Sequence, residues 1–212
     1  VTVATLLLIR HGETAWNAAG RIQGQLDVPL SATGVWQAQR LATRLAAEPI
    51  AAVFASDLAR AALTAQPLAQ ALGLAIVFDR RLRERHFGIF EGHTLEEVAA
   101  RFPAEFAAWR ARDPHWAIPG GESGAQLIGR ALAALDDIAQ RHAGQTVAVV
   151  AHGGVLDAAY RHARGLAWDA PREHPMANAA VNRMTAAGAP LRLQVVAWGD
   201  VAHLEATRDE IA

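Results

Sequence analysis

An α/β fold, with a mostly parallel central sheet covered by helices on both faces, is predicted for this chain by three observations. Short apolar runs alternate with longer stretches of helical periodicity, which is the pattern of βα units. The chain has 212 residues, 52% of them hydrophobic, enough to bury a sizeable core within one domain spanning residues 1–212. The last two apolar runs have no long helix between them, so they are expected to form an antiparallel pair at the far side of the sheet. The expected architecture is a three-layer sandwich whose mostly parallel sheet contains one antiparallel strand, with a small loop and helix lid added.

Taken in order, Thr5 to Ile9 is the first strand, and the next helix runs from Ser31 to Ala47 with Ser31 as its N-cap. Ala51 to Ala55 is the second strand. A helix over Asp57 to Leu72 follows, capped by Ser56 and stopped by Gly73. Ala75 to Phe78 is the third strand. Residues 86–124 carry Pro103, Pro114, Pro119, Gly120 and Gly121, punctuation that suits a lid inserted within the domain, with a helix from Leu95 to Arg110. Glu122 to His142 is the next helix, stopped by Gly144, and Thr146 to Ala151 is the fourth strand. A helix over Val155 to Arg164 leads to the closing strands, Ala180 to Ala186 and Leu191 to Trp198.

Composition removes several chemistries. The formal net charge is −1, which disfavours non-specific binding of nucleic acid. All 20 basic side chains are Arg, so lysine Schiff-base and P-loop chemistry are out. Cysteine is absent, which excludes thiol catalysis, thiolate metal sites and disulfides and fits a reducing compartment. The apolar start from Val1 to Ile9 has no basic leader and is too short for a signal or membrane segment. A cytoplasmic protein without membrane or nucleic-acid partners is expected, and a homodimer stays open.

The most informative stretch is Arg10-His11-Gly12-Glu13-Thr14, directly after the first strand. Parallel strands end on the ligand crevice, so these side chains are placed to meet a substrate. The guanidinium offers a fork of donors to phosphate or carboxylate. The imidazole could serve as base, acid, ligand or nucleophile, and Gly12 would allow a sharp turn with room for a bound group. Ser56 to Arg60 follow the second strand and His152-Gly153-Gly154 follow the fourth. If these strands are parallel, all three groups share one edge. Two strands ending in His-Gly, with Arg60 on the first turn of a helix, point to a common phosphate-type site.

These pieces resemble the histidine phosphatase superfamily, branch 1, which includes phosphoglycerate mutases and broad phosphomonoesterases. The likeness rests on motifs in order: Leu8-Ile9-Arg10-His11-Gly12-Glu13-Thr14 with Trp16-Asn17, Gly24, Pro29 to Gly34, Ser56 to Ala61 with Thr64, Leu82-Arg83-Glu84, Gly88, Glu91-Gly92, Gly121-Glu122-Ser123 and His152-Gly153-Gly154. The resemblance implies that His11 takes the phosphoryl group as a phosphohistidine, and that Arg10, Arg60 and His152 hold the non-bridging oxygens. Glu84 would be the general acid and then the base for water, a role that requires it to hold a proton as the alkoxide leaves. Glu13, Glu91 and Glu122 are rival carboxylates. Of these, Glu13 is expected to structure its own turn and Glu122 to cap the helix it opens. Asn17, Arg21, Gly24 and Gly153 are candidate substrate-binding positions, with a turn-forming role the alternative for Asn17. Trp109 and Trp116 are expected to pack in the core or lid. The remaining histidines form no His-x-x-x-His spacing, and no metal or cofactor is expected.

The resemblance leaves the reaction divided. Arg85-His86-Phe87 after Glu84 is similar to the mutase branch, which would use 2,3-bisphosphoglycerate as cofactor. Gly153-Gly154 departs from the Gly-Asn that mutases place after the second histidine, and the segment from Gly92 to Gly121 is short for their basic insertion. Hydrolysis of a small phosphorylated metabolite is the favoured expectation. A mutase, or a non-catalytic phosphate-recognition module, is the alternative.

Overall fold

Six strands join into one sheet among the residues described by the structure, a computed structural model covering residues 2–188 and 190–205. They are β1 (Ala4–Arg10), β2 (Ile50–Ala55), β3 (Ile76–Phe78), β4 (Thr146–Ala151), β5 (Val181–Ala187) and β6 (Arg192–Asp200). Their spatial order is β3-β2-β4-β1-β5-β6. The first four are mutually parallel, and β5 runs antiparallel to both β1 and β6. The expected closing pair is therefore present, with β5 inside the sheet and β6 at its edge.

Alternation along the strands feeds two cores. Leu6 and Leu8 of β1, with Val147 and Val149 of β4, pack against α6 (Gly124–Arg141) and α7 (Gly153–Arg164). Leu7 and Ile9, with Ala148 and Val150, pack on the other face against α2 (Ala32–Leu45) and α3 (Ala59–Leu72). Both faces of the sheet are thus covered, which is why these strands read as unbroken apolar runs. Leu6, Leu7, Leu8 and Ile9 are each 0% exposed, and each such side chain contributes roughly 1.5–3 kcal/mol of transfer free energy. A third cluster, built on Phe90, Val98 and Ile118 with Phe102 and Phe106, gives the excursion over residues 86–124 a small core of its own. No helix among the described residues is long and apolar enough to cross a membrane.

Several boundaries differ from the sequence-based expectation. The helix expected over Leu95 to Arg110 is two helices, α4 (Leu95–Arg101) and α5 (Pro103–Arg110). The ring of Pro103 bars its predecessor from helical geometry, and Phe102 breaks at φ −132°, ψ 57°. The helix α3 starts at Ala59 rather than Asp57, with Leu58 at its N-cap. Ser56 only accepts from the Leu58 N–H at 3.3 Å. The distant Asp27 meets the first turn, its Oδ1 accepting from the Ala59 N–H at 2.7 Å. Ser31 caps α2 as expected, and Gly73 ends α3 in the left-handed region at φ 64°. Ser123, not Glu122, caps α6, and that helix ends at Arg141 before Gly144. A single turn, α1 (Ala15–Ala18), arises from a Thr14–Asn17 capping box. The helix α7 begins two residues early, at Gly153, with His152 as its N-cap.

Candidate active site

The sheet register brings the two histidines together. Arg10 pairs with Ala151 as the last rung between β1 and β4, and the His11 N–H donates to the Ala151 carbonyl at 3.0 Å. His11 and His152 leave neighbouring strands at one level, with ring centroids 5.2 Å apart. Arg60, in the first turn of α3 beside the end of β2, completes the edge. Arg10, His11, Asn17, Arg21, Gly24, Arg60 and Glu84 all line one pocket of about 180 Å³. Arg10, His11 and Arg60 therefore converge there, while His152 is fully buried beside the His11 ring and does not line the pocket.

His11 is held as one tautomer. Its Nδ1 lies 2.7 Å from the Gly12 carbonyl, so Nδ1 carries the hydrogen and Nε2 keeps its lone pair. Its backbone carbonyl accepts from Asn178 Nδ2 at 2.8 Å. The Gly12 N–H donates to Thr64 Oγ1 at 2.9 Å, and Thr64 donates in turn to the Arg60 carbonyl at 2.7 Å. Gly12 is required for a reason other than room for a ligand. A Cβ there would lie 2.7 Å from the Gly34 carbonyl oxygen, so α2 occupies the space.

The cations are gripped from behind, with other donors left over. Arg60 is 1% exposed; it donates to the carbonyls of Leu26 and Gly24 at 2.9 and 2.7 Å. Arg10 donates to the Met176 carbonyl. The Nε atoms of both arginines, and both ring nitrogens of His152, are buried without a hydrogen-bond partner among the described residues. Buried donors of this kind are costly unless something accepts from them, and a multi-oxygen anion would satisfy them together.

Burial first, then the charges of Arg60 and Arg10, pushes the His11 imidazole well below its ordinary range. His152 is lowered in the same way by burial, Arg60 and its histidine neighbour. Both effects disfavour the imidazolium, so the neutral ring persists into acid. Titration of the His11 ring by NMR is expected to give a midpoint below about 6.5, the unperturbed imidazole value. Arg60→Gln, which deletes a like charge, should move that midpoint upward. A midpoint at or above the unperturbed value in the parent protein would contradict this electrostatic account.

Glu84 alone among the four candidate carboxylates lines this pocket. Its Oε1 accepts from the Arg85 N–H at 2.7 Å, and the Gly154 N–H at the start of α7 lies 3.1 Å from both of its oxygens. The rivals are engaged elsewhere. Glu13 accepts from Ser31 Oγ at 2.9 Å, Glu91 accepts from the N–H groups of Gln25 and Phe87 at 2.9 Å each, and Glu122 pairs with Arg130. Among the binding candidates, Arg21 lines the pocket but forks onto Glu97 at 2.7 and 3.1 Å and onto the Gly92 carbonyl. Asn17 is half-committed, its Oδ1 accepting from the Thr14 N–H at 3.1 Å. Gly24 serves Arg60 through its carbonyl, and Gly153 sits where a Cβ would lie 3.7 Å from Glu84 Oε2 and 3.9 Å from Arg10 Nε. No group of three or more His, Asp or Glu side chains among the described residues is arranged to hold a metal ion.

A family model described as the histidine phosphatase superfamily (branch 1) matches residues 6–200. The chain belongs to that superfamily. It is 42% identical over 211 residues to phosphoglycerate mutase-like protein 4 of Arabidopsis thaliana, covering 98% of this chain and 90% of that one. It is 41% identical to a metal-independent phosphoserine phosphatase of the same plant, covering 95% and 84%. The solved structure of YhfR from Bacillus stearothermophilus superposes with a TM-score of 0.87 at 37% identity, covering 95% of this chain and all of that one.

In this member of the superfamily some site-building residues carry no local sequence signal. Arg130 on α6 donates to the carbonyls of Arg81, Arg83 and Glu84 at 2.8, 2.6 and 2.8 Å, fixing the segment that presents the Glu84 carboxylate. Gln25 Nε2 also donates to the Glu84 carbonyl at 3.1 Å. Met176 and Asn178, on the loop between α7 and β5, clamp Arg10 and His11 from more than 160 residues away.

Proposed function

We propose that this histidine phosphatase is a phosphomonoesterase acting through a covalent phosphohistidine on His11. The observation that supports it best is the bare His11 Nε2 in a pocket lined by Arg10, Arg60 and Glu84. Nε2 attacks phosphorus, the N–P bond forms and the ester P–O bond breaks. The positive charge gained by the ring is spread to Nδ1–H, which the Gly12 carbonyl accepts. Arg10, Arg60 and His152 donate to the non-bridging oxygens, where charge must be held during in-line transfer. Glu84 gives its proton to the departing alkoxide. The resulting carboxylate then takes a proton from water as its oxygen attacks phosphorus. The N–P bond breaks, inorganic phosphate leaves and Nε2 is restored. No step calls for a metal or an organic cofactor.

Hydrolysis is favoured over return of the phosphoryl group by the openness of the site. Arg110 and Arg172, which line the space adjoining the phosphate pocket, are exposed to solvent, so water has a route to that space, whose Arg10 and Glu84 also line the pocket of His11. A mutase would have to exclude that water and use 2,3-bisphosphoglycerate to charge His11. Arg85 beside Glu84, together with the mutase-like relative, is what supports this second reading. With chelator present, the protein is expected to release phosphate from alkyl and aryl phosphates. Given 3-phosphoglycerate with a trace of 2,3-bisphosphoglycerate, it should release phosphate faster than it forms 2-phosphoglycerate. Faster isomerisation would select the mutase, and neither product would leave only a binding module.

A further inference from the structure

Beside the phosphate pocket lies a larger chamber of about 570 Å³, and Arg10 and Glu84 line both. Gly153, Gly154 and Asp157 of α7 also line the chamber, since residues three and four apart share one helix face. Trp168, Arg172 and Met176 come to its walls from the segment between α7 and β5. Arg112, another wall residue, donates to the Trp168 carbonyl at 3.1 Å.

That segment has neither helix nor strand, yet it places two groups on the catalytic strand end. The Met176 carbonyl accepts from Arg10, and Asn178 donates to the His11 carbonyl. Backbone without a ladder must be held by other partners, and here they gather at Asp157. The residue is 2% exposed. Its Oδ2 accepts from Arg161 Nε at 3.0 Å, while Arg172 reaches Oδ1 with Nε and Oδ2 with Nη2, at 3.2 Å each. His174 Nε2 lies 3.0 Å from Oδ1. Arg161, itself 3% exposed, extends the hold by donating to the carbonyls of Ala167 and Ala170 at 2.6 and 3.0 Å. Ala167, Ala170, Arg172 and His174 are thus gathered around one carboxylate, directly or through Arg161. From outside the cluster, Tyr160 stacks on the His174 ring with centroids 3.9 Å apart, and Trp198 Nε1 donates to the Pro175 carbonyl at 2.9 Å.

A buried carboxylate persists only where partners offset its lost hydration. Burial opposes the charge on Asp157, but Arg172 and Arg161 outweigh it and hold the carboxyl below its ordinary value. Burial also pushes the His174 ring below its ordinary range despite the neighbouring carboxylate, so the two arginines supply the countercharge. Phosphoryl transfer gives Asp157 no proton to move. What the cluster fixes is the Met176 carbonyl, and through it a planar guanidinium whose orientation one held nitrogen can set. Arg10 Nε, buried without a partner among the described residues, is then left for a phosphate oxygen.

We propose that Asp157 is a positioning residue for Arg10: by gathering Arg161, Arg172 and His174 it holds the Met176 carbonyl where that carbonyl orients the guanidinium toward the phosphate. The proposal rests on the phosphatase reading only in treating Arg10 as a phosphate ligand.

The test reads Arg10 directly. The Nε–Hε signals of Arg10 and Arg60 are assigned in a proton–nitrogen correlation spectrum by their loss in Arg10→Gln and Arg60→Gln. In Asp157→Asn the Arg10 signal should shift or broaden, whereas the Arg60 signal, from a guanidinium held by Gly24 and Leu26, should stay in place. Calorimetric titration with inorganic phosphate should show binding weakened about tenfold, the scale of one charge-assisted hydrogen bond. Added to Arg10→Gln, the same substitution should cost less than about twofold, because its effect passes through the arginine already removed. Added to Arg60→Gln, it should again cost about tenfold. Arg172→Lys keeps the charge and leaves Asp157 paired with Arg161 but loses the two-pronged hold, so it should move the Arg10 signal by less. That variant carries the test if Asp157→Asn does not fold. An unmoved Arg10 signal in the folded variants, or an equal loss of affinity with and without Arg10, overturns the proposal, as does a parent protein that binds no phosphate. If Arg10 stays in place while wild-type protein hydrolyses esters, the positioning proposal fails alone. If Arg10 moves and phosphate binding weakens but wild-type protein releases no phosphate from any ester, the phosphatase assignment fails alone.

Discussion

Replacing His11 with alanine is expected to lower phosphate release by a factor on the order of 10⁴ or more, which corresponds to roughly 5 kcal/mol or more of barrier. The fold should survive. The imidazole contributes one hydrogen bond to its neighbour's carbonyl, whereas the surrounding backbone is clamped independently by Thr64, Asn178 and the β4 rung. Circular dichroism should be unchanged, and the acid-labile phosphoprotein trapped by rapid quench from wild-type protein should vanish. Substantial residual turnover with a trapped phosphoprotein would move the nucleophile elsewhere.

The second large effect belongs to Glu84. Glu84→Gln keeps an acceptor oxygen for the N–H groups of Arg85 and Gly154 but cannot protonate a leaving group. Loss of a general acid costs about 10²–10⁴ in rate where the leaving alkoxide is basic. Benzyl and other alkyl phosphates should suffer that loss, and p-nitrophenyl phosphate should lose less than about tenfold, since its phenolate scarcely needs the proton. Gly154→Ala provides a geometric version of the same experiment. A Cβ at 154 would lie 2.2 Å from Glu84 Oε1 and 3.0 Å from Leu127, so the carboxylate must move. Both variants should share the same bias against alkyl esters. Equal losses on both ester types would assign the proton to another group.

The sheet edge was legible in the sequence because it depends on periodicity and strand ends. Strands with both faces buried read as apolar runs, and parallel neighbours must end on the same side, so His11, Arg60 and His152 could be placed together without coordinates. Glu84 was reached only through the spacing of family motifs. Its selection over Glu13, Glu91 and Glu122 depends on which partners each carboxylate finds across the fold, and that has no local signal. Arg21 shows the same limit from the other side. It lies where the motif places it, yet Glu97, 76 residues on, takes its guanidinium. The chamber walls were the least legible. Trp168 and Arg112 sit in irregular segments 56 residues apart, joined by a single hydrogen bond to a carbonyl. The start of α7 was misplaced by two glycines of poor helix propensity, although those glycines let the helix end approach the Glu84 carboxylate.

The clamp of Met176 on Arg10 and of Asn178 on His11 ties the timing of activity to the order of synthesis. Arg10 and His11 end the first strand, and their two clamps follow more than 160 residues later in the chain. β4, which brings His152 and the start of α7, also arrives late and inserts between β1 and β2. A growing chain therefore displays the Arg10-His11 pair long before the pair has a pocket. Arg10, His11 and His152 come together only when β4 and the segment carrying Met176 and Asn178 close over the first strand.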